Sequence, residues 1–146
     1  MNYAKTITHR REKELTIKIN DYAEFVDETT SDASKHHIAL IGRLDDLKTI
    51  ANIPRLLTAS VGMLAESGEF AEISKKIIFQ GKEFTENERF HMKRELGDIL
   101  WYWVQGCKAL GFEPEEVMQE NINKLEKRYP NGFEVHRSES REEGDI

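Results

Sequence analysis

Residues 54–111 read PRLLTASVGMLAESGEFAEISKKIIFQGKEFTENERFHMKRELGDILWYWVQGCKALG, and their pattern is the main sequence evidence for the fold. Its apolar residues recur every three or four positions, which is the period of an amphipathic helix. Pro54 suits the first turn of a helix, and Gly81 suits the position just after its end. Thr85 with Glu88 forms a capping-box pattern that starts a second long helix. The stretch therefore predicts two long antiparallel helices joined by a short connection.

The same periodicity predicts three further helices, so we expect an all-α protein built as a helical bundle. The first begins near Asn20, and residues 29–32 are expected to break the chain after it. The second carries apolar residues at helical spacing over 38–50. The last begins at Pro114 and ends at Glu126 or Arg128.

Length and composition predict one domain in 1–146, with its core at about 20–130 and a polar, mobile tail at 131–146. The net charge is −6 and no basic block occurs, which argues against nucleic-acid binding. The single cysteine, Cys107, excludes an intrachain disulfide. The sequence shows neither a membrane-spanning apolar run nor a signal-peptide core, so a soluble, cytoplasmic protein without membrane partners is expected.

Two pairs of acidic residues interrupt the apolar pattern of the long helices. Glu66 and Glu69 form one pair, and Glu95 and Asp98 form the other, each at the i, i+3 spacing that puts both carboxylates on one helix face. Neither pair has a Lys or Arg at i+4, where an exposed helical acid usually finds its partner. Four carboxylates from two facing helices favour a divalent-cation site suited to phosphate chemistry. Half-exposed surface acids are the alternative.

These acids resemble the signature of the MazG-like, all-α nucleoside triphosphate pyrophosphohydrolases, in particular the small phage-type members. That signature is Glu-x-x-Glu, a spacer, and then Glu-x-x-Asp. The segments LAESGEFAE at 64–72 and RELGDIL at 94–100 match this signature. The segment NINKLEKRYPNGF at 121–133 matches a third block of the family. The resemblance covers about 54–143, and the three blocks in this order are more specific than any one of them.

The resemblance implies a four-helix MazG-like core with an N-terminal helix and a polar C-terminal tail. It also implies Mg²⁺-dependent hydrolysis of (deoxy)nucleoside triphosphates to the monophosphate and pyrophosphate, with Mn²⁺ as a substitute. The implied metal ligands are Glu66, Glu69, Glu95 and Asp98, and the implied substrate contacts are Asn121, Lys124 and Arg128. Lys76 is a further candidate phosphate contact, for which a solvated position is the alternative.

The residue that activates water is left open by the sequence. Many relatives carry an acid directly before the first Glu of the signature, where this chain has Ala65. Glu69 or Glu72 could serve, and a bound metal by itself could also lower the pKa of water. Glu66 is a further catalytic candidate. Glu72 has lysines three and four positions later, so an ion pair on the helix surface is its alternative role.

The resemblance also implies a homo-oligomer, either a dimer or a tetramer built from dimers. It implies nucleotide-pool control, in the host cytoplasm if the protein is phage-encoded. Two alternatives stay open: a phosphoribosyl-ATP pyrophosphohydrolase-like activity, or a non-catalytic helical module that binds a nucleotide or a protein partner. A ferritin-like di-iron site is disfavoured, because it needs two Glu-x-x-His motifs and the chain has one, at 88–91.

Overall fold

The computed structural model describes residues 18–139, which form helices and no strand. In chain order the helices are α1 (Ile19–Thr29), α2 (Asp32–Lys35), α3 (His37–Leu47), α4 (Ile53–Gln80), α5 (Glu86–Leu110), α6 (Pro114–Arg128) and α7 (Val135–Glu139). The all-α prediction is confirmed. The segment before Lys18 and the end of the predicted tail, 140–146, lie outside the described residues.

The chain divides into two compact units between Arg43 and Leu44. The first contains α1, α2 and most of α3, and no residue of these helices is buried. Within it, the Lys35 ammonium donates a 2.5 Å hydrogen bond to the Asp27 carbonyl, which ties α2 to the end of α1. The second unit contains α4 to α7 and all the predicted site residues. The single domain stays a prediction.

The two long helices begin and end within two residues of the predicted positions. Asn52 caps α4, because its side-chain oxygen accepts a 3.2 Å hydrogen bond from the Arg55 N–H. Gly81 follows α4 with a φ of 71°, in the left-handed region that favours glycine. Thr85 and Glu88 form the predicted capping box at the start of α5. Local sequence signals therefore account for both helices.

Glu88 holds the connection between α4 and α5 in a defined geometry. Its buried carboxylate accepts hydrogen bonds from the Thr85 hydroxyl and from the Thr85 N–H, and it pairs with the Lys82 ammonium at 3.0 Å. The hydrogen bonds from Thr85 and Lys82 lower the pKa of Glu88 from 4.5 to about 2. The carboxylate is therefore ionised at neutral pH, as this ion pair requires.

α4 and α5 pack against each other as an antiparallel pair along a seam of small residues. Residues of the two helices and their flanks meet in reversed order: Asn52 with Ala109, Gly62 with Tyr102, and Glu66 with Glu95. The buried residues of the seam include Ala59, Gly62, Cys107 and Ala109. Small side chains let two helix backbones approach closely. The close approach brings the acidic pairs in the middle of the two helices within reach of each other.

The structure differs from the sequence prediction outside the long helices. The predicted break at 29–32 ends with the first residue of α2, and the predicted tail contains α7. α3 ends at Leu47, whose carbonyl accepts the N–H groups of Ile50 and Ala51 and closes a turn before α4. The apolar period over 38–50 therefore extends past the hydrogen-bonded helix. None of the described helices combines the length and apolar character needed to cross a membrane.

Candidate active site

Three of the four signature carboxylates converge between α4 and α5. One oxygen each of Glu66, Glu69 and Glu95 lies within 4.8 Å of the other two. Asp98, one turn after Glu95, is exposed and is not part of this three-carboxylate cluster, although its charge acts on Glu66. The structure therefore brings the two motifs face to face and leaves Asp98 at the margin.

Electrostatic repulsion marks the cluster as a place for a cation. Partial burial, the neighbouring charge of Glu69 and a hydrogen bond with Glu95 raise the pKa of Glu66, and the charge of Asp98 adds to the effect. Carboxylates held this close disfavour one another's ionised forms. A bound cation would remove that repulsion, because it supplies the opposite charge at the point where the carboxylates meet.

The donor set indicates which cation fits. The cluster offers carboxylate oxygens alone, with neither imidazole nor thiolate among its members. Hard divalent cations such as Mg²⁺, Ca²⁺ and Mn²⁺ prefer oxygen ligands, whereas softer metals favour nitrogen or sulfur. Glu66, Glu69 and Glu95 therefore suit a magnesium-like ion.

A cavity of about 540 Å³ opens beside the cluster, and we call it the carboxylate cavity. Its acidic lining consists of Glu69, Glu72 and Glu95. Its other ionisable side chains are Lys76, Lys82, His91 and Arg94. Acids that can hold a cation and side chains that can hold an anion thus share one cavity, which is the arrangement that a metal-bound phosphate needs.

Glu72, a candidate base, is paired with lysines. Its carboxylate contacts the Lys75 ammonium and lies 3.3 Å from the Lys76 ammonium. The hydrogen bonds from Lys75 and then Lys76 lower the pKa of Glu72. A carboxylate with a lowered pKa is a weaker base, so this contact opposes a role in activating water. The ion pair that the spacing predicts between Glu72 and a lysine is present. Lys76 lines the carboxylate cavity while it is paired with Glu72.

The predicted contacts on α6 lie elsewhere. Asn121 and Lys124 line a different cavity of about 890 Å³, whose walls are mostly apolar and include Met63 and Trp103. None of the four signature carboxylates lines that cavity. Arg128 lines neither cavity, and its guanidinium carbon lies 5.9 Å from the centre of the Tyr129 ring. Within one chain, the structure therefore does not gather these residues around the carboxylate cavity.

Three residues of the carboxylate cavity were missed as site residues by the sequence analysis: Lys82, His91 and Arg94. A signal for two of them exists in the sequence. Arg94 directly precedes Glu95, and His91 lies one helical turn before both, so rotating α5 to point Glu95 at α4 brings them to the edge of the same face. Lys82 lies in the connection between α4 and α5, where helix periodicity does not predict the direction of a side chain.

Comparison with known proteins identifies a family and a phage relative. The family model for the MazG nucleotide pyrophosphohydrolase domain matches residues 56–133, which include both acidic pairs and the third sequence block. The Gene 37 protein of Mycobacterium phage L5 is 35% identical over 83 residues, covering 56% of this chain and 72% of that protein. No solved structure matches the chain.

Proposed function

The chain belongs to the MazG nucleotide pyrophosphohydrolase family, and on this premise we propose that it hydrolyses (deoxy)nucleoside triphosphates to the monophosphate and pyrophosphate with Mg²⁺. The observation that carries the proposal is the three-carboxylate cluster of Glu66, Glu69 and Glu95, which lies within the matched region. An oxygen-donor cluster beside a cavity that also contains cationic side chains suits a metal-bound polyphosphate.

The reaction adds one water molecule across the anhydride between the α and β phosphates. The triphosphate and water become a monophosphate and pyrophosphate, and a proton is released. Mg²⁺ held by the cluster would neutralise phosphate charge and lower the pKa of a bound water. Asp98, at the margin of the cluster, is the fourth proposed ligand.

We propose Glu69 as the group that accepts the proton of the attacking water. It lines the carboxylate cavity and is exposed to it, as a base in contact with substrate water must be. Glu72 lines the same cavity, but its two lysine partners lower its pKa. Glu66 is half-buried at the cluster and better placed as a ligand.

Product analysis tests the proposed reaction. Purified protein is incubated with each common NTP and dNTP and with phosphoribosyl-ATP, with Mg²⁺, with Mn²⁺ and with a chelator, and the products are separated by chromatography. We expect monophosphate and pyrophosphate with either metal and no turnover with the chelator. Diphosphate and phosphate would place the cleavage elsewhere and refute the proposal. Turnover of phosphoribosyl-ATP alone would support the first alternative. No turnover of any of these substrates would support the non-catalytic module.

We also propose that the chain forms a homo-oligomer. The large apolar residues Val61 and Leu64 on α4, and Leu96 and Leu100 on α5, are more than half exposed. The seam between α4 and α5 is formed largely by small residues. Many large apolar side chains of these helices therefore lie outside the seam. Large apolar side chains that one chain leaves exposed favour burial against another copy of it. Two copies of the helix pair could cover these surfaces in a dimer, which could pair again into a tetramer.

Light scattering after size-exclusion chromatography checks this proposal. We expect a mass that is twice or four times 17.0 kDa. The Leu64→Glu variant, which puts a charge into the apolar surface, is expected to lower that mass or the solubility. Glu83→Gln, at an exposed position in the connection, is the control and should leave the mass unchanged. A stable monomer at micromolar concentration would refute the proposal.

We also propose a role in nucleotide-pool control in the cytoplasm of an infected host; the family supports the role, and the phage relative supports the setting. The substrate panel bears on this role, because preference for deoxynucleotides would connect the activity with DNA precursors. Preference for ribonucleotides would argue against that connection.

A further inference from the structure

We propose that Arg94, together with Lys76, Lys82 and His91, binds the β and γ phosphates of the substrate in the carboxylate cavity. The substrate would lie with its pyrophosphate half toward the connection between α4 and α5. This inference rests on the proposed function and adds to it the direction in which the substrate lies. Arg94 is the residue with the largest expected effect.

The order of residues along the two helices gives the direction. On α4, Lys76 follows Glu69 and Glu72 and lies nearer the connection, in which Lys82 itself lies. On α5, His91 lies one turn nearer the connection than Glu95. The cavity therefore has its metal-binding acids toward the middle of the helices and Lys76, Lys82 and His91 toward the connection, with Arg94 between His91 and Glu95 along α5.

The existing ion pairs single out Arg94. Lys76 is paired with Glu72 at 3.3 Å, and Lys82 is paired with Glu88 at 3.0 Å. Over residues 18–139, Arg94 makes no ion pair and no side-chain hydrogen bond, although it lines the cavity beside Glu95. Its five N–H donors are therefore available to an incoming anion.

The charge balance explains why an unpaired arginine is needed there. The four proposed ligands, Glu66, Glu69, Glu95 and Asp98, and one divalent cation leave a net charge of −2 at the site, and a terminal phosphate brings about −1.5 to −2 more. Lys82 is balanced by Glu88, and Lys75 and Lys76 share Glu72, so Arg94 adds a positive charge that is not already engaged in an ion pair of the described residues. A guanidinium also binds two phosphate oxygens at once, which an ammonium group does not.

Calorimetry with inorganic pyrophosphate as the probe tests the subsite. We titrate the full-length wild-type protein and its variants Arg94→Gln and Arg94→Lys with pyrophosphate in the presence of Mn²⁺. A second titration uses the nucleoside monophosphate that the wild type produces best. Arg89→Gln is the matched control, because Arg89 lies on the same helix, pairs with Glu86 and lines neither cavity. Thermal unfolding of every variant confirms that the fold is retained.

We expect Arg94→Gln to weaken pyrophosphate binding about tenfold to a hundredfold, as for the loss of hydrogen bonds to a charged group. Arg94→Lys should recover part of the loss, since it keeps the charge without the two-point contact. The monophosphate affinity of the Arg94 variants should stay within about twofold of the wild type, because Arg94 is proposed to contact the pyrophosphate half. The pyrophosphate affinity of Arg89→Gln should also stay within about twofold, because Arg89 lines neither cavity.

The outcomes separate this inference from the proposed function. If the wild type releases pyrophosphate from a triphosphate but Arg94→Gln binds pyrophosphate as tightly as before, the subsite is wrong and the proposed function stands. Equal losses of pyrophosphate and monophosphate affinity would also overturn the subsite, because Arg94 would then not distinguish the two halves of the substrate. A wild type that releases inorganic phosphate and a diphosphate would overturn both.

Discussion

The Glu69→Gln variant is expected to lose pyrophosphohydrolase activity while keeping its fold. The substitution removes one charge from the three-carboxylate cluster and removes the proposed base, but preserves the size of the side chain. The loss of a metal ligand and a base together is expected to lower kcat/KM about a thousandfold or more, which corresponds to about 4 kcal/mol of transition-state stabilisation. Steady-state kinetics with the preferred triphosphate measures this loss.

A thermal-unfolding series separates metal binding from catalysis in the same variant. We expect Mg²⁺ or Mn²⁺ to raise the Tm of the wild type and to raise that of Glu69→Gln far less, because a ligand that binds only the folded state stabilises it. Without metal the variant should be at least as stable as the wild type, since Glu69 repels Glu66. Glu83→Gln carries the same change at an exposed site and should keep the activity. Unchanged activity in Glu69→Gln would refute the proposed site.

The Gly62→Ala variant is expected to lose both stability and activity. A Cβ atom built at Gly62 would lie 2.2 Å from the Tyr102 ring, far inside van der Waals contact. Overpacking of this kind costs about 1 to 3 kcal/mol of unfolding free energy. Gly62 lies one turn before Glu66, and Tyr102 one turn after Asp98, so separating the helices there also disturbs the cluster. A displacement of about 1 Å can lower the rate a hundredfold.

Two further variants show whether contact with the ring is the cause. Gly97→Ala lies on α5 with nothing within 4 Å of the added Cβ, so denaturant unfolding should show it unchanged or stabilised by up to about 1 kcal/mol. The double variant Gly62→Ala/Tyr102→Leu removes the ring and should recover part of the lost stability, giving a favourable coupling between the two sites. If Gly62→Ala were as stable and active as the wild type, the close helix approach would not position the cluster.

Helix type and helix ends could be predicted from the sequence because their causes are local. Proline geometry, the Thr85–Glu88 capping box and the left-handed conformation of Gly81 each act within a few residues of the chain. The i, i+3 spacing of the acids put each pair on one helix face for the same reason. The three sequence blocks also predicted the family that the comparison with known proteins then showed.

Local sequence signals predicted less of the structure outside the two long helices. The apolar period over 38–50 continued past Leu47, where hydrogen bonds to its carbonyl close a turn instead. In the predicted tail, the Arg137 side chain donates to Glu134 and accompanies the short helix α7, which composition alone does not indicate. Polarity predicts exposure, but it does not exclude a short hydrogen-bonded turn.

Two long helices with paired acids follow from local sequence, because helix formation and side-chain direction depend on neighbours in the chain. Which groups meet depends on the packing of the helices. That packing gathered Glu66, Glu69 and Glu95, left Asp98 at the margin, and put Arg94 in their cavity while Lys124 lines another. Those choices depend on how far α4 and α5 rotate and how closely they approach at Gly62, and this geometry is set by contacts between residues about 40 positions apart.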